Sequence, residues 1–411
     1  MNKKRLLLGG FLNMKILVIN CGSSSLKYQL IDMVDESILC KGNCERVGQK
    51  GSFITHKVDD KSYRVEVDFP SHTEAFSKVY EMMSSGEGAV IKEKSEIGAI
   101  GHRVVQGAER FSCSVIVTDE VIDTIEEIAP LAPVHNMAHV QGLRSAKKVF
   151  GENVPQVVVF DTTFHGTMPE KAFMYGIPYE YYEKYSIRKY GFHGTSHRYI
   201  SLATAKKLGK KIEDLKIVTC HLGNGSSIAA VDGGKCVDTS MGLTPLGGLV
   251  MGTRCGDIDP SVVCYLTEKI GLSGNDLSEL LNKKSGFLGL SGVSSDNRDI
   301  EDAMDAGNKR AELAHDMFSY QVKKYIGAYA VAMGGLDAVV FTGGIGENAP
   351  RVREKVCSNM EFLGIKIDTE KNKARGKDFI DLSTEDARVK TLVIATDEEL
   401  MIARDTLELI K

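Results

Sequence analysis

Short apolar runs alternate with longer segments of helical period along most of the chain, the arrangement of an α/β fold. Residues 15–19 (KILVI) and 26–31 (LKYQLI) read as strands joined by Cys21-Gly22-Ser23-Ser24-Ser25. The pattern returns in the second half, where 216–221 (KIVTCH) and 227–231 (SIAAV) flank Leu222-Gly223-Asn224-Gly225-Ser226. Each is strand, polar turn, strand, and each ends in an aspartate, Asp32 or Asp232. Glycine supplies turn dihedrals that other residues resist. Two hairpins of matching turn chemistry predict a duplicated domain. A third glycine-rich loop, Thr342-Gly343-Gly344-Ile345-Gly346-Glu347-Asn348, follows the apolar run Ala338–Phe341, and Pro350 is placed to open a helix. A long helix is expected over roughly 309–333, with Leu313, Met317, Tyr320, Ile326, Tyr329 and Met333 as its apolar face and Gly334-Gly335 as its stop. Glu398–Ile410 reads as a closing helix.

A chain of 411 residues exceeds what one core supports, so two domains are expected. With 43% apolar and 26% charged residues it has the balance of a soluble globular enzyme. The net charge is −4 and no Lys/Arg run forms a nucleic-acid footprint, so an anionic substrate needs locally placed cations. Nine cysteines lack paired spacing, and Cys40 and Cys44 have no second half of a zinc site, which leaves reduced thiols in a cytoplasmic protein. Lys3, Lys4 and Arg5 before Leu6-Leu7-Leu8 mimic a secretory signal, but the run stops at Leu12 without a cleavage site. Residues 1–13 are expected to be a dispensable extension, with Met14 an alternative start. No apolar stretch approaches the roughly 20 residues of a membrane span.

Backbone N–H groups of glycine loops at strand ends suit phosphate. Any one of the loops at 20–25, 222–226 and 343–348 is more simply a tight turn; three together point to a nucleotide. There is no P-loop motif. Gly344-Ile345-Gly346-Glu347-Asn348-Ala349 matches G-x-G-x-x-A, but a dehydrogenase leaves the other two loops without a task. Charged and His residues crowd five glycine-containing or loop stretches: 101–105 (GHRVV), 132–136 (APVHN), 160–165 (FDTTFH), 190–197 (YGFHGTSH) and 251–260 (MGTRCGDIDP). A lone His is more often structural. An Arg among glycines is free to grip a carboxylate or phosphate bidentately.

In order, Asn20-Cys21-Gly22-Ser23-Ser24-Ser25-Leu26-Lys27, YGFHGTSH at 190–197, HLGNGSSI at 221–228, MGTRCGDIDP at 251–260, GGIGEN at 343–348 and EELMIARDT at 398–406 resemble the signature stretches of acetate kinases, across residues 14–411. The resemblance implies an α/β fold of duplicated ribonuclease-H-like (actin-like ATPase) domains with a cleft between them. The first would span 14–160, joined by the closing helix 399–411; the second, nucleotide-binding domain would span 161–398. It implies direct, Mg2+-dependent, reversible transfer of the ATP γ-phosphoryl to acetate, giving acetyl phosphate and ADP, with Mn2+ as a substitute ion. A cytoplasmic homodimer without membrane or nucleic-acid partners is implied as well.

Roles follow by the same resemblance. Asn20 and Glu398 match the magnesium positions, and Ser23, Ser25 and Lys27 the phosphate-facing hairpin. Arg103 and Arg254 match the substrate arginines. His193 matches the residue that steadies the transferring phosphoryl, with His135 nearby, and Asp161 the central acidic residue; Asp161 is assigned to orienting Mg2+ and its waters, and the resemblance also permits an acid–base role. His221, Leu222, Gly223, Asn224 and Gly225, then Asp296, Asn297 and Arg298, then Gly344, Ile345, Gly346, Glu347 and Asn348 match the nucleotide contacts. Val105, Val134, Phe192 and Pro245 match the apolar pocket for the methyl group.

A carboxylic acid with a pKa of about 4–5 is ionised at pH 7 and needs no general base, so two arginines, a His and a metal ion answer the need to cancel charge. The sequence departs from the family at Gln106-Gly107-Ala108 (usually His-Gly-Gly), Met137 (usually Pro), Val134 (usually Leu) and Asp397 (usually Asn). A methylene-sized change in a pocket is worth only about 1–3 kcal/mol, so propionate is an expected second substrate. The alternatives are a sugar or glycerol kinase and a chaperone or filament ATPase of the same superfamily.

Overall fold

The structure, a computed structural model, describes residues 14–411; the extension expected over 1–13 lies outside the described residues. Contacts divide the chain after Thr163: the first unit takes back Asp397–Lys411 and the second is Phe164–Thr396. Asp161 and Glu398, expected in the second domain, thus belong to the first unit. Both are held there by Arg103, as described below.

The first unit is built on eight strands, β1 (Lys15–Cys21), β2 (Ser25–Asp32), β3 (Ser37–Glu45), β4 (Phe53–Val58), β5 (Lys61–Glu66), β6 (Ile97–Val104), β7 (Val115–Ile116) and β8 (Gln156–Phe160). Their order is β5-β4-β3-β2-β1-β6-β8-β7. The alternation of β1 decides both layers, because successive side chains of a strand face opposite ways. Leu17 and Ile19 pack with Phe76 and Val79 of α1 (His72–Ser84) and Ala146 and Phe150 of α3 (Pro133–Phe150), while α2 (Asp119–Glu127) contacts α3. Ile16 and Val18 pack with Ile402 and Ala403 of the C-terminal helix (Glu398–Ile410).

The second unit has six strands, β9 (Lys216–Leu222), β10 (Ser226–Asp232), β11 (Lys235–Thr239), β12 (Ala338–Thr342), β13 (Phe379–Asp381) and β14 (Lys390–Ile394), in the order β11-β10-β9-β12-β14-β13. One face of β9 packs Ile217 with Ile200 of α4 (Gly194–Leu208). The other packs Val218 and Cys220 with Ile300 of α5 (Asn297–Asp305) and Phe318 and Val322 of α6 (Lys309–Ala332). The duplication is explicit in strand direction. In β3-β2-β1-β6-β8 two antiparallel pairings are followed by two parallel ones. In β11-β10-β9-β12-β14 the same sequence of pairings recurs.

Two expectations change. The third glycine loop is a strand end followed by a short helix, α7 (Gly343–Asn348), before α8 (Pro350–Cys357). The Glu347 carboxylate accepts the Gly343 N–H at 2.9 Å and so secures that first turn. In α6, Leu313 is 58% and Tyr320 62% exposed. Ile326, Tyr329 and Met333 are buried as expected, and the buried stripe continues through Ala311, Ala314, Phe318 and Val322 rather than through Leu313 and Tyr320.

Candidate active site

In the first unit the chemistry gathers at the ends of parallel strands. Arg103 is the next-to-last residue of β6, and β1 sets Asn20 opposite it in register. The Asp161 backbone N–H donates to the Val104 carbonyl at 2.9 Å, which fixes Asp161 just past the end of β8. Arg103 then donates two bonds to the buried Asp161 carboxylate, Nε to Oδ1 at 2.9 Å and Nη2 to Oδ2 at 2.6 Å. Glu398 Oε2 stands 3.8 Å from Arg103 Nε. Burial pulls the Arg103 pKa down, but Asp161 and Glu398 outweigh it and hold the guanidinium charged. Burial, with Asp161 and Asp397 nearby, pushes the Glu398 carboxyl up against the opposing pull of Arg103 and Lys27.

Asn20, Lys27, Arg103, Glu398 and Glu399 share a cavity of about 250 Å³. Its oxygen donors, an amide and carboxylates, are those a hard cation takes. Among the described residues no group of three or more His, Cys, Asp or Glu could hold a metal unaided.

Other residues singled out in this half are spread more widely. Ser23 lines a separate cavity of about 420 Å³ with Ser71, His72, Gln141 and Arg144. Ser25 opens β2 opposite Glu45 of β3. His135 is exposed in the first turn of α3, and Val105 is buried. Val134 is in the same turn, and its side chain lies outside the described residues. The departure at 106–108 is knitted to α3: Asn136 accepts from the Gln106 N–H at 3.3 Å and donates to its carbonyl at 3.0 Å. Asp397 caps the C-terminal helix, accepting the Leu400 N–H at 2.9 Å, so one of its oxygens is spent on the backbone.

In the second unit two cationic or donating groups converge on the β9–β10 turn. A Cβ at Gly225 would stand 3.1 Å from Arg254 Nη1, 3.6 Å from His193 Cε1 and 3.7 Å from His193 Nε2. The missing side chain thus opens the space both groups face. His193 precedes α4 with φ 58° and ψ 26°, a left-handed backbone that is uncommon outside glycine and collects at functional sites. Its ring stacks on His221 at 4.3 Å, and its Nδ1 is 2.9 Å from Ser227 Oγ. Arg254 donates weakly to the Pro245 carbonyl at 3.4 Å and has no ion-pair partner among the described residues, and burial lowers its pKa. A partly buried cation left unpaired is costly unless a ligand completes it. Phe192 is buried, its carbonyl accepting from His165 at 2.9 Å.

A larger cavity, about 610 Å³, is lined by Gly223, Asn224, Asp296, Asn297, Arg298, Gly344, Ile345 and Asn348, all residues expected to contact nucleotide. Asp296 caps α5 and pairs with Arg298 through two bonds, 3.0 and 2.6 Å. His221, Leu222, Gly225, Gly346 and Glu347 do not line it. Leu222 instead faces the core, and Glu347 secures α7. Ser295, Glu301, Ala349 and Arg375 line the cavity and were not anticipated. Glu301 lies one helical turn beyond Asn297, which donates to it at 3.1 Å, a signal that spacing alone carries.

A model of the acetokinase family matches residues 15–404. The acetate kinase of Thermotoga petrophila is 57% identical over 401 residues, 97% of this chain and 99% of that protein. The chain belongs to the acetokinase family. Among solved structures, an acetate kinase of Porphyromonas gingivalis is 48% identical with a TM-score of 0.94, covering 97% of this chain and 100% of its own. A propionate kinase of Francisella tularensis is 42% identical with a TM-score of 0.89, covering 96% and 100%. No helix among the described residues is long and apolar enough to cross a membrane.

Proposed function

We infer that the chain is an acetate kinase, transferring the γ-phosphoryl of ATP reversibly to acetate in one in-line step. The observation that carries the reading is Arg254, a partly buried guanidinium without a carboxylate partner among the described residues, facing the same gap at Gly225 as His193. Such a pair suits the equatorial oxygens of a phosphoryl in transfer, where charge spreads and preorganised donors are most effective. Arg103 takes the acetate carboxylate through the edge that Asp161 leaves open. Asp161 has both oxygens bonded to Arg103, which argues against the general-base role that a sugar kinase requires.

Asn20 and Glu398 would supply donors for Mg2+, with Asp161 orienting its waters; the ion would neutralise phosphate charge. Asn224, Asp296, Asn297, Arg298 and Asn348 hold the nucleotide. Val105 and Val134 of the first unit, and Phe192 and Pro245 of the second, are the apolar residues assigned to the methyl group. Propionate is a second substrate, in keeping with the propionate kinase among the relatives. The protein acts in the cytoplasm as a homodimer. ADP release measured with and without acetate tests the reading: release should depend on acetate. Arg254→Ala should lower kcat about 10²–10³-fold with little change in the ATP KM. Acetate-independent release, or near-normal turnover in the variant, contradicts it.

A further inference from the structure

YGFHGTSH contains a second histidine, His197, that the reaction as described does not use. It lies four residues beyond His193, on the same side of the start of α4, and is fully buried. Its Nε2 is 2.7 Å from Ser227 Oγ, the same hydroxyl that lies 2.9 Å from His193 Nδ1. Its Nδ1 is 2.7 Å from Thr219 Oγ1. A single hydrogen-bonded file therefore runs His193–Ser227–His197–Thr219, with both hydroxyl residues on the β9–β10 hairpin.

Proton counting gives the file a direction. A hydroxyl has one proton, so Ser227 donates to one imidazole and accepts from the other. Thr219 decides which. Its oxygen is 2.7 Å from His197 Nδ1 but 3.5 Å from the Ala229 carbonyl, the outer limit of a bond, so its proton goes to His197. His197 is kept neutral by burial, with His165 and His221 adding to the effect, and so carries one ring proton. With Nδ1 accepting from Thr219, that proton is on Nε2 and points to Ser227. Ser227 then donates to His193 Nδ1, and the one proton of a neutral His193 is left on Nε2. The Cε1–Nε2 edge is the one that faces the gap at Gly225 beside Arg254.

We propose that Thr219, His197 and Ser227 are positioning residues that fix His193 in the Nε2–H tautomer, so that it offers a hydrogen-bond donor to the transferring phosphoryl without first being protonated. This deepens the role given to His193 above and rests on it. Orientation of a reacting imidazole by the bond on its other nitrogen is a general device, and its loss typically costs about 10–100-fold.

The test uses the full chain with 15N-labelled histidine at a pH where the ring is neutral, His193 being assigned from the spectrum of His193→Gln. The expected result is a protonated Nε2 and a lone-pair Nδ1 at His193. Ser227→Ala should lower kcat about 10–100-fold with the ATP KM nearly unchanged, and should mix the tautomers. His197→Phe, which keeps a ring in place, should do the same, and the double variant should be no worse than either single one. His197→Gln, whose amide nitrogen still reaches Ser227, should recover most of the loss. Ser227→Ala within twofold of the parent kcat, losses that multiply in the double variant, or Nδ1–H in the parent spectrum overturns the proposal. His193→Ala separates the two readings. If it is inactive while Ser227→Ala is normal, only the positioning fails. If it is itself normal, the role of His193 in transfer fails as well.

Discussion

At the scale of single residues, the site works by what glycine leaves out and what arginine is denied. Arg103 is satisfied by Asp161, whereas Arg254 has only weak contacts to the Pro245 carbonyl and the Met251 thioether, so the two arginines are prepared for different tasks. Arg103 is aimed and Arg254 is waiting. Gly225 keeps the space between Arg254 and His193 open, and Gly225→Ala would place a methyl 3.1 Å from Nη1. Displacements of about an ångström at such sites cost on the order of 10²-fold, so a shift of a few tenths should lower kcat roughly tenfold while leaving the melting temperature close to the parent. Steady-state kinetics beside thermal melts check this; unchanged kcat would mean that the gap at Gly225 is not where the phosphoryl sits. The arginines were legible as cations inside glycine-rich stretches. Their difference was not, because pairing depends on Asp161 reaching Arg103 across two neighbouring strands, and spacing in sequence does not report that.

At the scale of elements, the hairpins at 15–32 and 216–232 were readable because apolar strands and polar turns have different compositions. The register that sets Asn20 against Arg103 and Lys27 was not. The face of α6 was legible in part: Ile326, Tyr329 and Met333 are buried, whereas Leu313 and Tyr320, large residues that dominate a hydrophobicity pattern, are exposed and the small Ala311 and Ala314 are buried. The loop at 106–108 shows a cost carried by an element. Ala108 has φ 50°, where the family usually has glycine. A left-handed alanine costs about 1–2 kcal/mol, and glycine returns part of that gain as chain entropy, about 0.5–1 kcal/mol. Ala108→Gly should therefore stabilise the protein by roughly 0.5–1 kcal/mol, read as a higher urea midpoint at unchanged slope. A destabilised variant would show that the alanine methyl is packed rather than strained.

At the scale of the whole molecule, the repeated order of antiparallel and parallel strands turns one nucleotide-type fold into two units with separate tasks. The first holds Arg103 with Asn20 and Glu398, proposed for the carboxylate and the metal; the second holds the cavity at Gly223–Asn224 and the pair Arg254 and His193, proposed for the nucleotide and the phosphoryl. Global stability carries a mark of the buried histidines of the first unit. Burial lowers the His102 pKa to about 4, the Gln156 bond only partly opposing it, and burial with Arg103, His135 and His102 nearby lowers His139 to about 3. Both imidazoles are neutral in the fold, while the unfolded chain takes up their protons below about pH 6.5. Stability should fall as pH drops from about 6.5 towards 4, by roughly 1.4 kcal/mol per pH unit for each proton, and the His102 share should end once the fold itself is protonated there. Urea titrations at several pH values should show the decline, and His102→Gln should remove about one proton from its slope. An unchanged slope would place the cause elsewhere.

The central claim is that the acceptor is a carboxylate. The most direct measurement is to incubate the enzyme with Mg-ATP, acetate and hydroxylamine and to assay for the hydroxamate that an acyl phosphate yields. Hydroxamate in step with ADP, absent without acetate and lost in Arg254→Ala, is the predicted result. ADP formed without hydroxamate, or phosphate delivered to a sugar hydroxyl instead, contradicts the account.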